Sequence, residues 1–242
     1  MATLKDQTAV ITGASGGIGG AIAVALAPEG ARVCLCGRDA GRLESLASRL
    51  RAASHEQKTC VIDLTREADI DRLVDLVSAE FGRLDVLVHS AGVIDHGELQ
   101  TAPIAALDRQ FSANVRAPLA LTQRLLPLLQ RPRGQIVFIN SSAGLAARPG
   151  TGHFSATQHA FKALADALRD EVNAAGVRVL SVFPGRTATS RIEALHRKEG
   201  RPYRPEVLLQ PEDVASVVLN AITLPWTAEV TNISIRPMQK SY

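Results

Sequence analysis

The run Thr12-Gly13-Ala14-Ser15-Gly16-Gly17-Ile18-Gly19 closes a short apolar stretch and opens an Ala-rich one, which reads as strand, tight turn and helix. Glycines at 13, 17 and 19 give the spacing T-G-x-x-x-G-x-G. Without a Cβ, such a turn lets backbone N–H groups and the positive end of a helix dipole face a pyrophosphate. A tight turn needs glycine with or without a ligand, so further residues must carry the assignment. The next apolar run, residues 32–36, ends in Gly37, Arg38 and Asp39. In doubly wound folds this strand end meets the adenosine ribose, where an acid prefers a free 2′-hydroxyl and an arginine a 2′-phosphate. Arg38 therefore points to NADP(H) over NAD(H), and Asp39 beside it moderates that preference. A solvated charge at the entry to a helix is the other reading of Arg38.

A second stretch with chemical content is NSSAGLAARPGTGHFSATQHAFK, residues 140–162. It holds Ser141, Ser142, His153, Gln158, His159 and Lys162, and His96 lies in a loop nearer the N-terminus. Imidazoles titrate near ~6.5 when unperturbed, which suits proton transfer, and surface or packing roles for these histidines stay open until their geometry is known. Only two tyrosines occur, Tyr203 and Tyr242, both far from this stretch in sequence.

These residues must be held by elements that the hydropathy pattern delimits. Apolar runs at 8–12, 32–36, 58–62, 84–89, 135–140 and 177–183 alternate with amphipathic segments at 42–53, 67–81, 114–129 and 153–172. Residues 211–222, PEDVASVVLNAI, read as a capped final helix and residues 229–235 as an edge strand. Unbroken apolar strands between helices imply a parallel sheet buried on both faces, and right-handed crossovers make it doubly wound. The expected fold is thus α/β, a Rossmann-like doubly wound parallel sheet of about seven strands with helices on both faces. No linker, repeat or low-complexity segment divides the 242 residues, so one domain over residues 1–242 is expected. Pro127 should kink or strain the helix at 114–129.

Composition narrows the partners. With 46% hydrophobic residues the chain has material for a sizeable core, and its net charge of +3 is scattered rather than gathered into basic runs with interleaved aromatics. No nucleic-acid partner is expected. Cys34, Cys36 and Cys60 form neither a C-x-x-C pair nor a disulfide framework and read as core residues of a reducing compartment. The N-terminal residues lack a signal-peptide pattern and no run reaches the ~18 apolar residues of a membrane span, so a cytoplasmic protein with no membrane partner is expected. No metal-ligand spacing is present.

The glycine spacing, together with Pro184-Gly185-Arg186-Thr187-Ala188-Thr189 and the frame of residues 141–158, resembles the short-chain dehydrogenase/reductase family along the whole chain. The resemblance implies that Gly13, Ser15, Gly16, Gly17, Ile18 and Gly19 line the pyrophosphate, although Gly16 stands where many NADP-preferring members carry a second basic residue. It implies that Asp63 contacts the adenine and Leu64 lines its slot; the N-cap region of the following helix is the other reading of Asp63. Members usually have N-N-A-G where this chain has His89, Ser90, Ala91 and Gly92. Ala91 and Gly92 keep the small residues that admit a cofactor, while hydrogen bonds that brace the neighbouring strands are altered. Pro184, Gly185, Thr187 and Thr189 fit the segment that binds a nicotinamide carboxamide. Asn114 fits the position that holds a water in a proton relay, and a helical Asn bonding its own backbone is the plain alternative. Residues 188–209 would be a substrate lid, with His196 and Tyr203 as candidate substrate contacts. Residues 114–129 and 153–172 would pack against further subunits in a homodimer or homotetramer.

The family's reacting pair is Y-x-x-x-K on one helix face. The tyrosine protonates the substrate oxygen, and the lysine lowers its pKa and binds the nicotinamide ribose. At these places the chain has Phe154 and Gln158. Counting back the family's thirteen positions from 154 gives Ser141 as the catalytic serine, with Ser142 as fallback. A shifted frame that uses Lys162 would need a tyrosine at Gln158 and fails. Phe154 cannot give or take a proton, and Gln158 can bond a ribose hydroxyl but carries no charge. Loss of a general acid costs about 10² to 10⁴ in rate, so ordinary carbonyl reduction should be badly impaired. Three functions follow: a reductase with a different proton source or a substrate such as an imine or enone that needs none, a cofactor-binding protein without redox turnover, or a non-redox cyclase or dehydratase using the same pocket.

Overall fold

A computed structural model of the chain describes residues 4–51 and 56–239. Seven strands, β1 (Thr8–Thr12), β2 (Arg32–Gly37), β3 (Gln57–Val61), β4 (Val86–His89), β5 (Gln135–Ile139), β6 (Arg178–Pro184) and β7 (Asn232–Ile235), form one sheet in the order β3-β2-β1-β4-β5-β6-β7. Every pairing is parallel. From β1 the chain builds outward through β2 to β3, then returns to lay β4 on the opposite side of β1. That reversal opens a crevice above the C-terminal ends of β1 and β4, where open α/β sheets bind ligands.

Eight α-helices are described: α1 (Gly17–Leu26), α2 (Ala40–Leu50), α3 (Glu67–Glu80), α4 (Ile104–Phe111), α5 (Ala117–Gln130), α6 (Gly152–Asn173), α7 (Ser190–Lys198) and α8 (Pro211–Ile222). The two-residue period of the strands divides the core in two. Ile11, Val33, Leu35, Val88 and Val182 face Ile22, Leu43 and Val218 of α1, α2 and α8. On the other face Val10, Cys34, Leu87, Ile136 and Phe138 meet Leu73, Leu125 and Ala165 of α3, α5 and α6. With both faces covered, these strands read as continuous apolar runs, and the doubly wound single domain forms as the sequence implies. The edges differ. β3 is only half-buried and pairs Lys58 with Glu80 at 2.6 Å, a charged edge that discourages further strand pairing.

Cys34, Cys36 and Cys60 are buried and unbonded, with the Sγ atoms of Cys34 and Cys36 3.8 Å apart. Contact with Cys34, then burial, pushes the Cys36 thiol well up, and burial raises Cys60 to about 11. All three are core residues, as expected.

Several boundaries differ from the sequence reading. Helix α2 starts at Ala40, because Asp39 caps it by accepting from Arg42 N at 3.0 Å; residues 52–53 of the expected helix lie outside the described residues. The helix expected at 114–129 instead begins within a π turn at Ser112–Arg116, which follows α4, and continues as α5. Pro118 lacks the N–H that the Asn114 carbonyl would receive in an α-helix, and the backbone widens there. Through Pro127, by contrast, α5 continues to Gln130.

Candidate active site

An open cleft of about 1000 Å³ lies above the crevice. Gly13, Ser15, Gly16, Gly17 and Ile18 form its floor, Arg38, Asp63 and Leu64 one end, and Ser141, Phe154, Gln158, Pro184, Gly185, Thr187 and Thr189 the other. Ser90, Ala91, Gly92 and Asn114 form the middle. Gly19 does not line the cleft; it lies in the first turn of α1, packed against the glycine turn.

Two glycines explain why the floor needs them. A Cβ on Gly13, whose φ is +69°, would fall 2.8 Å from Ala91 N, and one on Gly19 would fall 2.6 Å from the Gly13 carbonyl oxygen. At Gly16, in contrast, nothing stands within 4 Å of a Cβ. The turn is thus pressed against its own sheet and open toward the cleft, at the N-terminus of α1. This is a cradle suited to a pyrophosphate.

Thr12, which opens the glycine motif but has no role of its own in the sequence reading, ties the floor to the middle. Its hydroxyl donates to Val88 O at 3.1 Å and accepts from Ser90 N at 3.0 Å and Ala91 N at 3.1 Å. This is the bracing that His89 and Ser90 seemed to lack by their side chains. His89 itself turns into the core. Thr122 Oγ1 already donates to Pro118 O, so at 2.8 Å it must accept from His89 Nε2–H, which fixes the tautomer. Burial lowers the His89 pKa to about 3, so the ring is neutral.

At the Arg38 end, Asp39 is spent on capping α2 and pairs with Arg42 at 3.3 Å. Arg38 has no ion-pair partner among the described residues. Asp63 does not cap α3. Its carboxylate accepts from Thr65 N at 3.0 Å and Thr65 Oγ1 at 2.8 Å, bonds that hold its pKa below the usual range, and Arg66 occupies the cap position. Its side chain stays at the rim of the cleft.

In the middle, Asn114 does not bond its own helix. Its amide pairs twice with the Val93 backbone, accepting from N at 2.7 Å and donating to O at 2.9 Å, and its second N–H reaches Thr157 Oγ1 at 3.1 Å. The π turn presents it, and Gly92 makes room, since a Cβ there would lie 3.0 Å from Asn114 Oδ1. With both amide protons used, a water relay through Asn114 would rest on its backbone carbonyl.

At the far end, Asn140 is the second residue that sequence reasoning missed. Its Oδ1 accepts from Ser141 N at 2.7 Å and its Nδ2 donates to the Gln158 carbonyl at 3.0 Å, joining the end of β5 to α6. Ser141 Oγ accepts from Ala143 N at 3.1 Å and its proton points free of that bond. Ser142 is exposed and does not line the cleft, so Ser141 is the serine that does. Phe154 and Gln158 face the same space, and the Gln158 side-chain amide bonds no described residue. Lys162, one turn on, pairs with Asp166 at 2.6 Å outside the cleft.

The histidines separate. His159 is exposed and bonds Ser155 O of its own helix at 2.8 Å, and His153 does not line the cleft. His96 stands with its ring centroid 6.1 Å from that of Phe154, held by Glu199 at 2.8 Å. His196 bonds Pro202 O at 3.0 Å and stacks edge-on against Tyr203, so both build the 188–209 excursion and neither lines the cleft. Tyr242 lies outside the described residues. That excursion is closed at its base by a parallel bridge between Thr187 and Leu209, and tied across the cleft by Lys198 to Asp95 at 2.6 Å. Thr189 accepts from Ile192 N at 3.3 Å, capping α7, and its methyl would stand 3.2 Å from a Cβ on Gly17.

No helix among the described residues is long and apolar enough to cross a membrane. Known proteins are similar along most of the chain. A glycine betaine reductase of Emericella nidulans is 36% identical over 97% of this chain, which spans only 19% of that longer protein. An uncharacterized oxidoreductase of Staphylococcus aureus strain USA300 is 32% identical over 98% of this chain and its own full length. Among solved structures, a metagenomic short-chain oxidoreductase in complex with NADP is 31% identical with a TM-score of 0.84, covering 98% of this chain and all of its own. The profile of the short chain dehydrogenases matches residues 7–200, and with the glycine cradle, the sheet order and these relatives agreeing, the chain belongs to the short-chain dehydrogenase/reductase family of oxidoreductases.

Proposed function

We propose that this protein is an NADP(H)-dependent reductase of small molecules that do not take their proton from a tyrosine, such as imines, enones or similarly activated substrates. The observation that carries this reading is a complete cofactor cradle whose reacting end is faced by Phe154 and Gln158.

When bound, NADPH supplies a hydride. The turn from Gly13 to Ile18 offers N–H groups and the α1 dipole to the pyrophosphate, and Arg38, with Asp39 diverted to its cap, offers a free cation to the 2′-phosphate. Asp63 and Leu64 border the adenine, and Ser90, Ala91 and Gly92 admit the cofactor backbone. Pro184, Gly185, Thr187 and Thr189 border the nicotinamide end. Gln158, its amide free of protein partners, is placed to bond a ribose hydroxyl in the lysine's stead, without charge. Ser141 keeps a hydroxyl to orient the substrate. An iminium is already cationic, and an activated alkene takes its proton from water, so neither needs a phenol at 154. His96, oriented by Glu199 beside Phe154, would be the donor if a proton is required, although neither it nor His153 lines the cleft itself.

The excursion at 188–209 acts as the substrate lid. Exposed Phe111 and Leu119 are apolar surface that a homodimer or homotetramer would cover, and the three unbonded thiols suit the cytoplasm. NADPH oxidation followed by its absorbance against a panel of ketones, imines and enones, beside a fluorescence titration of NADPH, tests the reading. Turnover of imines or enones with little on ketones is expected. Binding without oxidation of any substrate would favour a cofactor-binding protein or a non-redox enzyme, and absence of NADPH binding would remove the cofactor assignment.

A further inference from the structure

The polar segment after Thr189 reads in sequence as solvated lid. In the structure its second helical residue, Arg191, lines the same cleft as Arg38, Arg42 and the glycine turn. The backbone that carries it is held from both sides: Thr189 caps α7 and lays its methyl against Gly17, and the Thr187–Leu209 bridge closes the lid's base. Neither Arg38 nor Arg191 has a hydrogen bond or ion pair with a described residue, although most arginines of this chain do. Arg191 is exposed on the cleft wall; desolvation by the surrounding lining first, and the Arg38 charge second, depress its pKa. Asp39, the acid nearest in sequence, is engaged by the α2 cap and Arg42, and Asp63, bonded to Thr65, reaches Arg38 only at longer electrostatic range. With neither guanidinium ion-paired among the described residues, the cleft lining leaves two like charges open to an anion.

We propose that Arg191 is the second arm of a 2′-phosphate site shared between the sheet, through Arg38, and the lid. Selection of NADP(H) and seating of the lid are then one event. Gly16 fits this arrangement: the turn contributes no side chain at its open face, and the lid supplies the second cation from above.

The proposal rests on the NADP(H) reading but not on turnover, so it is tested with adenosine 2′,5′-bisphosphate and adenosine 5′-diphosphate, which carry no nicotinamide. Isothermal titration of the full chain should show the bisphosphate weakened about 10- to 100-fold by Arg191→Ala, as for one charge-assisted pair, with the 5′-diphosphate changed less than about threefold. Arg191→Lys should recover part of the loss, and the melting temperature should stay near that of the parent. Equal weakening of both ligands would move Arg191 to the 5′-phosphate that they share and overturn the proposal, as would an unchanged bisphosphate affinity. If Arg38→Ala alone weakens the bisphosphate, NADP(H) preference stands and only the lid's part falls. A parent protein that does not distinguish the two ligands would overturn both.

Discussion

The two ends of the cleft keep different things. At the Arg38 end both a positioning framework and charged groups are present: the glycine turn is forced open by its own packing, and guanidinium groups without ion-pair partners among the described residues line the space. At the other end the framework is just as complete, with Asn140 joining Ser141 to α6 and Asn114 joining Val93 to Thr157, while the side chains that face the space are Phe154 and Gln158. The difference teaches where the design is modular. Asn140 grips the backbone carbonyl of residue 158, and Thr157 donates to the backbone carbonyl of residue 154. Neither bond depends on the side chains at 154 and 158, so those can change without loosening the scaffold.

Several substitutions would break or sharpen this contrast. The largest effect is expected at the cradle. Gly19→Ala places a methyl 2.6 Å from the Gly13 carbonyl oxygen and should weaken NADPH about 10- to 100-fold in a fluorescence titration, equivalent to an overpacking cost of about 1–3 kcal/mol. Gly16→Ala, in open space, should change it less than about threefold; similar losses at both positions would contradict the packing account of the turn.

Next comes Asn140→Ala, which removes two buried bonds at the other end. It should lower stability to urea by about 1–3 kcal/mol with NADPH affinity nearly kept, the reverse of the glycine result. An unaltered unfolding midpoint would show that β5 and α6 hold their places without it.

His89 gives a pH signature. Its folded pKa of about 3 lies below the ordinary value of 6.5, so between those limits the unfolded chain binds the extra proton. Its contribution is complete above about pH 6.5 and is lost as pH falls toward 3, at up to about 1.4 kcal/mol per unit. A His89→Leu variant should show a shallower loss of stability on acidification, and a curve parallel to the parent's would exclude the ring as its source.

A smaller change is expected at His96→Gln. Where imine or enone turnover occurs, this variant should lower kcat while leaving NADPH affinity intact. An unchanged kcat would assign the proton to water.

Much of this was legible in the sequence because the physics was local. Buried parallel strands must be continuous apolar runs, so Ile11, Leu35 and Val88 announced themselves, and a tight turn beneath a helix must have glycine at Gly13. What escaped depended on partners distant in the chain. Asn140 and Thr12 are ordinary polar residues until residues far along the chain supply their bonds. Arg191 looks like any solvated charge, and only the packing of α7 on Gly17 carries it into the cleft. His196 and Tyr203 were misdirected toward the substrate because nothing local shows that Pro202 O and each other would claim them. The π turn at Asn114 had its signal in Pro118, whereas the more conspicuous Pro127 interrupts nothing.

The central claim, that an intact reductase scaffold has lost only its proton donor and that donor's cationic partner, is tested by reversing both changes together. In the Phe154→Tyr, Gln158→Lys double variant, NADPH-dependent reduction of simple ketones is measured against the parent at matched cofactor saturation. The account predicts a gain in kcat/KM of about 10² to 10⁴. Equal ketone reduction by the parent, or no gain on restoring the pair, would contradict it.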